Sequence, residues 1–238
     1  MGGSAVAAAA FLGGVTGFGY SIVATPLLLA VGFSLPFVVT ANLALALVTR
    51  VTVVVRLRRI VDWRRAALLV AGSVPGLYRG ATMLRSVDPA PIIVGVGVLV
   101  IALAIGLAVR KAAPRTAPIP GAPVAAGFAG GFLGTVTSLN GVPPVLLLTR
   151  EGVAARSFIA DLATYFVASN AIGLVVLLGT GVISHRALFP AFVVWLPGSI
   201  AANALGVSFA PRLPEDWFRW LTLAIVFVTG IATLVSVR

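Results

Sequence analysis

The sequence predicts an all-α, polytopic transmembrane helical protein with two tandem repeats in inverted orientation, each with a broken or re-entrant first block plus three spans. The composition is 60% hydrophobic and only 10% charged over 238 residues, with a mean hydropathy of +1.12. A soluble domain averages roughly 25% charged residues. Uncharged apolar runs reach the length of about 18 residues that a bilayer core requires. The two halves of the chain also match each other at a nearly constant offset.

Eight hydrophobic blocks follow from the apolar runs and their Arg, Pro and Gly boundaries. Four blocks form a predicted first transmembrane repeat at 1–110, and four form a second at 121–238. The proline-rich segment 111–120 between them is a predicted cytoplasmic linker. The blocks cover residues 4–33, 35–55, 65–84, 90–110, 121–149, 153–179, 187–209 and 217–237.

The first and fifth blocks are too long for one ordinary span and too short for two. Each has a glycine-rich centre and proline in its second part, which predicts two half-length helices joined at a non-helical turn. Gly17 and Gly134 are expected at or beside these turns. Broken backbone in a membrane is tolerated only inside protein or beside a water-filled cavity. One long tilted helix with small residues for packing is the alternative.

The internal similarity appears in two regions. An offset of 117 residues aligns Phe11–Leu29 with Phe128–Leu146 without a gap. An offset of 122 brings three residues of the third block onto identical residues of the seventh: Arg64, Pro75 and Gly76 onto Arg186, Pro197 and Gly198. Duplication explains both regions, and internal duplication is common in transporters.

The charge distribution favours inverted halves. If both long blocks are re-entrant, each half has three full crossings, so the second half is inverted relative to the first. With loop 56–65 in the cytoplasm, twelve basic residues lie inside and four outside, against ten and six for parallel halves. The positive-inside rule therefore favours inversion. Both termini are expected outside, and loops 56–65 and 110–118 in the cytoplasm.

Several function classes are excluded by composition. The chain has no Cys and one His, so we expect no disulfide, no metal centre and no cofactor. The net charge of +11 comes from arginines at the ends of apolar runs, which indicates topology rather than nucleic acid as a partner. No GxxxxGK[ST] phosphate loop is present. We expect no catalytic residues and a transporter rather than an enzyme.

Three segments resemble the TauE/SafE family of sulfite and organosulfonate exporters. They are GFGYSIVATPLLL (Gly17–Leu29), GFLGTVTSLNGVPPVLLL (Gly131–Leu148) and VPG (Val74–Gly76) followed by Arg79 and Gly80. The resemblance covers nearly the whole chain in block order and layout. It implies a multi-pass protein of the bacterial plasma membrane that carries sulfite, an organosulfonate or a related sulfur-containing or carboxylate anion.

The predicted substrate-binding residues lie mainly in the two broken blocks. The amino-terminal ends of half-helices present free N–H groups and a partial positive charge, which suit an anion. Glycine permits the tight turn, and hydroxyl and amide side chains supply hydrogen bonds. The alternative is that these small residues only allow close helix packing. The candidates are Thr16, Gly17, Gly19, Ser21, Thr25, Gly134, Thr137, Ser138, Asn140 and Gly141.

Four polar residues within other apolar blocks, Arg79, Asp161, Asn42 and Asn170, complete the candidates, and Arg50 is not one of them. Arg79 is expected to clamp an oxyanion with two parallel hydrogen bonds, or else to extend to the interface. Asp161 is a candidate for proton coupling, or else an acid favoured by the helix dipole. Asn42 and Asn170 are expected to line the path or to bond between helices. Arg50 is expected to extend to the cytoplasmic interface.

The function that these observations predict is secondary transport of small anions, with the lipid bilayer as the surroundings. A membrane-embedded enzyme or lipid-handling protein is one alternative, although the spans offer almost no convergent His, Cys, Asp or Glu. A structural membrane subunit without a substrate is the other, and the two polar breaks argue against it. The sequence makes no prediction of oligomeric state.

Overall fold

The structure, a computed structural model, describes residues 2–86, 119–179 and 185–214, and single positions between 94 and 105 and between 217 and 231. Within these residues the protein is all-helical. The predicted fourth block, eighth block and linker lie largely outside the described residues. The helices are α1 (Gly2–Thr16), α2 (Tyr20–Ala30), α3 (Leu35–Leu57), α4 (Trp63–Ser86), α5 (Ala122–Thr137), α6 (Val142–Arg150), α7 (Ala155–Gly179) and α8 (His185–Phe209), followed by a 3₁₀ turn at Ala210–Arg212.

Three helices of the described chain are long and apolar enough to cross a bilayer: Pro36–Leu57 in α3, Ala155–Gly179, and Phe189–Phe209 in α8. Helix α4 has 24 residues but carries four arginines. Large apolar side chains on α7 and α8, such as Val175, Val194 and Leu205, are exposed. Such a surface suits lipid tails, and the protein is a multi-pass membrane protein.

Both long blocks are broken. Helices α1 and α2 are separated at residues 17–19, and α5 and α6 at residues 138–141. Gly17 has a φ of 85° and Ser138 a φ of 67°, so each break begins with a residue in the left-handed region. A left-handed residue ends an α-helix because it turns the chain away from the helix axis. A single continuous helix is therefore wrong for both blocks.

The hairpin of α1 and α2 returns to the end where it starts. A Cβ placed on Gly2, at the start of α1, would lie 2.9 Å from the ring of Trp195. Phe33, just after α2, packs its ring against the same Trp195, with centroids 5.5 Å apart. Both ends of the hairpin therefore lie beside one side chain of α8.

Helix α5 runs parallel to α4 in close backbone contact. A Cβ on Gly72 would collide with the carbonyl of Val124, and a Cβ on Gly76 with the carbonyl of Phe128. The order of these contacts places the start of α5 beside the first half of α4. Only small residues allow backbones to approach this closely.

The hairpin of α5 and α6 also returns to its starting end. Helix α6 ends at Arg150, and the next residue, Glu151, lies 3.4 Å from the guanidinium of Arg65 near the start of α4. Since α5 also starts on the α4 amino-terminal side, both ends of this hairpin lie there.

Helix α3 separates the ends of the two hairpins. Its first turn carries Phe37, which stacks on Phe33 at a centroid distance of 5.0 Å, beside the ends of the first hairpin. Its last residue, Leu57, precedes the α3–α4 loop and Arg65, beside the ends of the second. Its 23 residues span about 34 Å at 1.5 Å per residue. The two hairpins therefore enter the helix bundle from opposite ends.

Helix α1 packs on α8 as closely as α5 packs on α4. A Cβ on Gly14 would collide with the carbonyl of Asn203, and one on Gly206 with the carbonyl of Phe11. The first helix of each hairpin is thus packed against a long helix from the other half of the chain.

Candidate functional site: the polar centre between two broken helices

The first break is shaped by a threonine hydroxyl. Thr16 is fully buried, and its Oγ1 donates to the carbonyl of Leu12 at 2.8 Å. The same oxygen accepts the backbone N–H of Gly19 at 3.1 Å. Gly17 between them packs on α7, where a Cβ would lie 3.2 Å from Cγ1 of Ile159. Two predicted site residues, Thr16 and Gly17, therefore define this turn, and α2 begins directly after it.

The second break has the same kind of threonine hydrogen bond as the first, but its left-handed residue is a serine. Thr137 donates from Oγ1 to the carbonyl of Leu133 at 2.9 Å. Ser138 follows in the left-handed conformation, and its N–H donates to the carbonyl of Gly134 at 3.1 Å. The turn is at Ser138, whereas Gly134 lies inside α5 one turn earlier. A Cβ on Gly134 would lie 2.8 Å from Cβ of Asn140, so glycine lets the break fold back against α5.

The two breaks meet inside the protein. A Cβ on Gly141, in the second break, would lie 3.4 Å from Cβ of Phe18 in the first. It would also lie 2.7 Å from Cζ of Phe166 on α7. Glycine at 141 therefore lets both aromatic side chains approach the backbone of the second break.

Asn42 of α3 connects three elements at this point. Its Nδ2 donates to Oγ1 of Thr25 on α2 at 2.9 Å and lies 3.5 Å from Oγ of Ser138. Its Oδ1 is buried and has no hydrogen-bond partner in the described part of the chain. Asn42 therefore holds α2 and the second break together and retains a free acceptor.

Asn140 and Asn170 form the matching contact on α7. Nδ2 of Asn140 donates to Oδ1 of Asn170 at 2.6 Å, and the Tyr165 hydroxyl donates to the carbonyl of Asn140 at 3.3 Å. Nδ2 of Asn170 is buried and has no partner among the described residues. A buried polar group without a partner costs about 1–3 kcal/mol. We call Thr25, Asn42, Ser138, Asn140 and Asn170 the polar centre; Thr25 is half-buried and the other four are buried. Ser21, which follows the first break on α2, is also buried.

Arg79 lies away from the polar centre. Its side chain is exposed. It lines a surface groove of about 580 Å³ between α4 and α5, with Thr82, Met83, Phe128 and Phe132. Arg79 therefore lies beside α5, the first helix of the second broken block, but does not line the polar centre.

Asp161 also lies apart, near the start of α7. Its side chain is fully buried, and Oδ2 accepts from Nη1 of Arg65 at 2.7 Å. Its Oδ1 accepts the backbone N–H of Asp62 at 2.8 Å. Both carboxylate oxygens are thus engaged by the α3–α4 loop and the start of α4.

Arg50 is the residue that sequence reasoning misplaced. Its side chain is 2% exposed, so the expected extension to the interface is wrong. Nη2 donates to the carbonyl of Gly13 at 2.7 Å, and the guanidinium carbon lies 6.0 Å from the Phe166 ring centroid. The sequence does contain an indication that Arg50 is buried. Six residues of α3, five of them uncharged, separate it from Leu57, the last residue of the helix.

The described residues contain no group of three or more His, Cys, Asp or Glu side chains that could hold a metal ion.

The family model for sulfite exporter TauE/SafE matches residues 3–233, which is nearly the whole chain. No curated protein and no solved structure matches it.

Proposed function

This chain belongs to the sulfite exporter TauE/SafE family, and we propose that it is a secondary transporter of sulfite, an organosulfonate or a related carboxylate anion. The observation that carries the proposal is the meeting of two broken helices at a buried polar centre. That centre keeps a free acceptor on Asn42 and a free donor on Asn170. Membership of a transporter family also supports a function other than catalysis.

The polar centre has the chemistry of a site for a small anion. It contains amides and hydroxyls, and no carboxylate belongs to it. Helices α2 and α6 begin at the breaks, where the first N–H groups of a helix have no intrahelical partner and carry partial positive charge. Pro143 and Pro144 remove two such donors from α6, whereas α2 begins with Tyr20 and Ser21, which keep theirs. The amino-terminal end of α2 therefore offers more donors to an anion.

The arrangement of the hairpins supports an inverted repeat. The hairpins enter from opposite ends of the bundle, and the α1–α8 and α4–α5 contacts correspond in the two halves. The left-handed residues Gly17 and Ser138 are 121 positions apart, close to the offset of 122 between the third and seventh blocks. The offset of 117 differs from these by about one helical turn, which is why it paired Gly17 with Gly134. Inverted repeats place the substrate near the bilayer midplane between them.

Flux in proteoliposomes tests the proposal. The purified chain should catalyse saturable movement of labelled sulfite that empty liposomes lack. Asn170→Leu removes an amide from the polar centre and should lower this flux at least about tenfold, the loss of one good hydrogen bond. Ser208→Ala, at an exposed position of α8, is the matched control and should leave flux unchanged. Transport of a cation without any anion flux would overturn the assignment.

A further inference from the structure

Arg50 carries a positive charge that no described acid neutralises. The three acids among the described residues, Asp62, Glu151 and Asp161, each pair with Arg65, and none pairs with Arg50. A guanidinium stays protonated under all ordinary conditions. A charge inside a membrane protein is costly unless it is paired or faces a polar cavity. The charge on Arg50 therefore requires a counter-charge, and the described residues do not supply one.

One terminal nitrogen of the Arg50 guanidinium is in use, and the other is free. Nη2 donates to the carbonyl of Gly13, whereas Nη1 is buried without a partner. Arginine recognises carboxylate, sulfonate and similar oxyanions because its donors form a planar fork. The free nitrogen leaves capacity for one oxyanion.

The position of Arg50 is between the two breaks. A Cβ on Gly13 would lie 2.9 Å from Nη2 of Arg50 and 3.0 Å from the backbone nitrogen of Tyr20. The guanidinium therefore lies close to the first residue of α2. The ring of Phe166 is near both Arg50 and the second break: its centroid lies 6.0 Å from the guanidinium carbon, and its Cζ would lie 2.7 Å from a Cβ on Gly141. The Arg50 guanidinium and the backbone nitrogen of Tyr20 thus both lie about 3 Å from one point beside Gly13.

We propose that Arg50 and the amino-terminal end of α2 form the cationic binding position for the transported oxyanion, which supplies the missing counter-charge. The inference rests on the proposed transport function and identifies the residue that selects for negative charge. Helix α2 has 11 residues, so its dipole adds to the same field.

Three variants of the full-length chain test this assignment. Binding of sulfite and of methanesulfonate is measured by calorimetry and by the rise in unfolding temperature that a ligand causes. Arg50→Gln should weaken binding about 100-fold and Arg50→Lys about tenfold, because lysine keeps the charge and loses the fork. Arg56→Gln removes the same charge from an exposed position of the same helix and should bind as the wild type does.

The outcomes separate the two proposals. If the wild type binds and Arg50→Gln binds equally well, the assignment of Arg50 is overturned and the transport proposal stands. If the wild type itself binds and transports neither anion, the transport proposal fails first. A purely structural Arg50 would lower the unfolding temperature without changing affinity. Should both Arg50 variants fail to fold, hydrogen exchange of the wild type decides: sulfite should slow exchange in 13–23 and 46–54, and protection of neither segment overturns the assignment.

Discussion

Arg65 donates from Nη1 to Oδ2 of Asp161 over 2.7 Å and so joins the start of α4 to the buried face of α7. The same guanidinium lies 3.4 Å from Glu151 and 3.5 Å from Asp62. One side chain thus connects the α3–α4 loop, the end of the second hairpin and the start of α7. This ion-pair cluster holds the end of the second hairpin beside the start of α4.

Asp161→Asn should destabilise the protein by on the order of 3 kcal/mol, because it removes the fully buried carboxylate that makes the shortest ion pair with Arg65. Unfolding in detergent, followed by temperature, measures the loss. Asp62→Asn is the control, since the Asp62 side chain is 45% exposed and its loss should cost less than about 1 kcal/mol. Equal stability of the two variants would contradict the structural role.

The proton-coupling hypothesis for Asp161 has a separate test. Sulfite uptake is measured in proteoliposomes under imposed pH gradients. Proton coupling through Asp161 requires that Asp161→Asn abolish the pH dependence. Since both carboxylate oxygens already accept hydrogen bonds from Arg65 and Asp62, we expect the pH dependence to survive in the folded variant.

Gly76→Ala should separate α4 from α5. The added Cβ would collide with the carbonyl oxygen of Phe128, which belongs to a rigid helix backbone and cannot move aside alone. Overpacking of this kind costs about 1–3 kcal/mol. Gly198→Ala is the matched control, because a Cβ there meets nothing within 4 Å. It should be neutral or slightly stabilising, and equal losses at both positions would exclude the packing explanation.

Ser138→Gly should be tolerated, whereas Ser138→Val should cost about 1–2 kcal/mol. Ser138 has a φ of 67°, which glycine adopts freely and a β-branched residue resists. Both variants remove the hydroxyl beside Asn42, so the loss of that contact does not contribute to their difference. Their unfolding temperatures give the comparison, and a valine variant as stable as the glycine one would refute the left-handed turn.

Labelling of single cysteines tests the re-entrant hairpins without background, because the chain has no Cys. Ser4→Cys lies near the start of the first hairpin, Arg59→Cys in the α3–α4 loop, and Ala154→Cys after the second hairpin. We expect Arg59→Cys and Ala154→Cys to label from the cytoplasm, the arginine-rich side, and Ser4→Cys from outside. Labelling of Ser4→Cys and Arg59→Cys from the same side would contradict a first hairpin that returns to its start.

Arg79→Lys distinguishes a groove residue from a ligand-binding one. If Arg79 clamps the anion, loss of its planar fork weakens sulfite binding about tenfold. Its exposed position in the groove beside Phe128 leads us to expect affinity within about twofold of the wild type. The comparison with Arg50→Lys in the same assay shows which arginine recognises the anion.

The existence of both breaks could be predicted, but only one of their positions. At the first break, the residue with positive φ is the glycine Gly17, so the residue type indicates the position of the turn. At the second break the left-handed residue is Ser138, and the more conspicuous glycine, Gly134, serves close packing inside α5. A glycine in a sequence indicates either role, and only the neighbouring backbone distinguishes them.

The placement of charged residues depended on contacts far apart in the chain. The pairing of Asp161 with Arg65 spans 96 positions, so no local pattern identifies it. Arg50 was assigned to the interface from its spacing to Arg56, whereas its carbonyl partner belongs to Gly13 on α1, 37 positions away. Asn42 and Asn170, in contrast, were found from their position within apolar helices, since amides there need partners.

The first helix of each hairpin packs on the other half of the chain, so neither half contains all the helices on which its own helices pack. Helix α1 closes its backbone against Gly206 of α8, and α5 against Gly76 of α4. A fragment that ends at Ser86 would contain α4 without α5 and α1 without α8. The glycine face of α1 would then be exposed. Two fragments produced separately should therefore be degraded, while the same fragments synthesised in one cell should rescue each other.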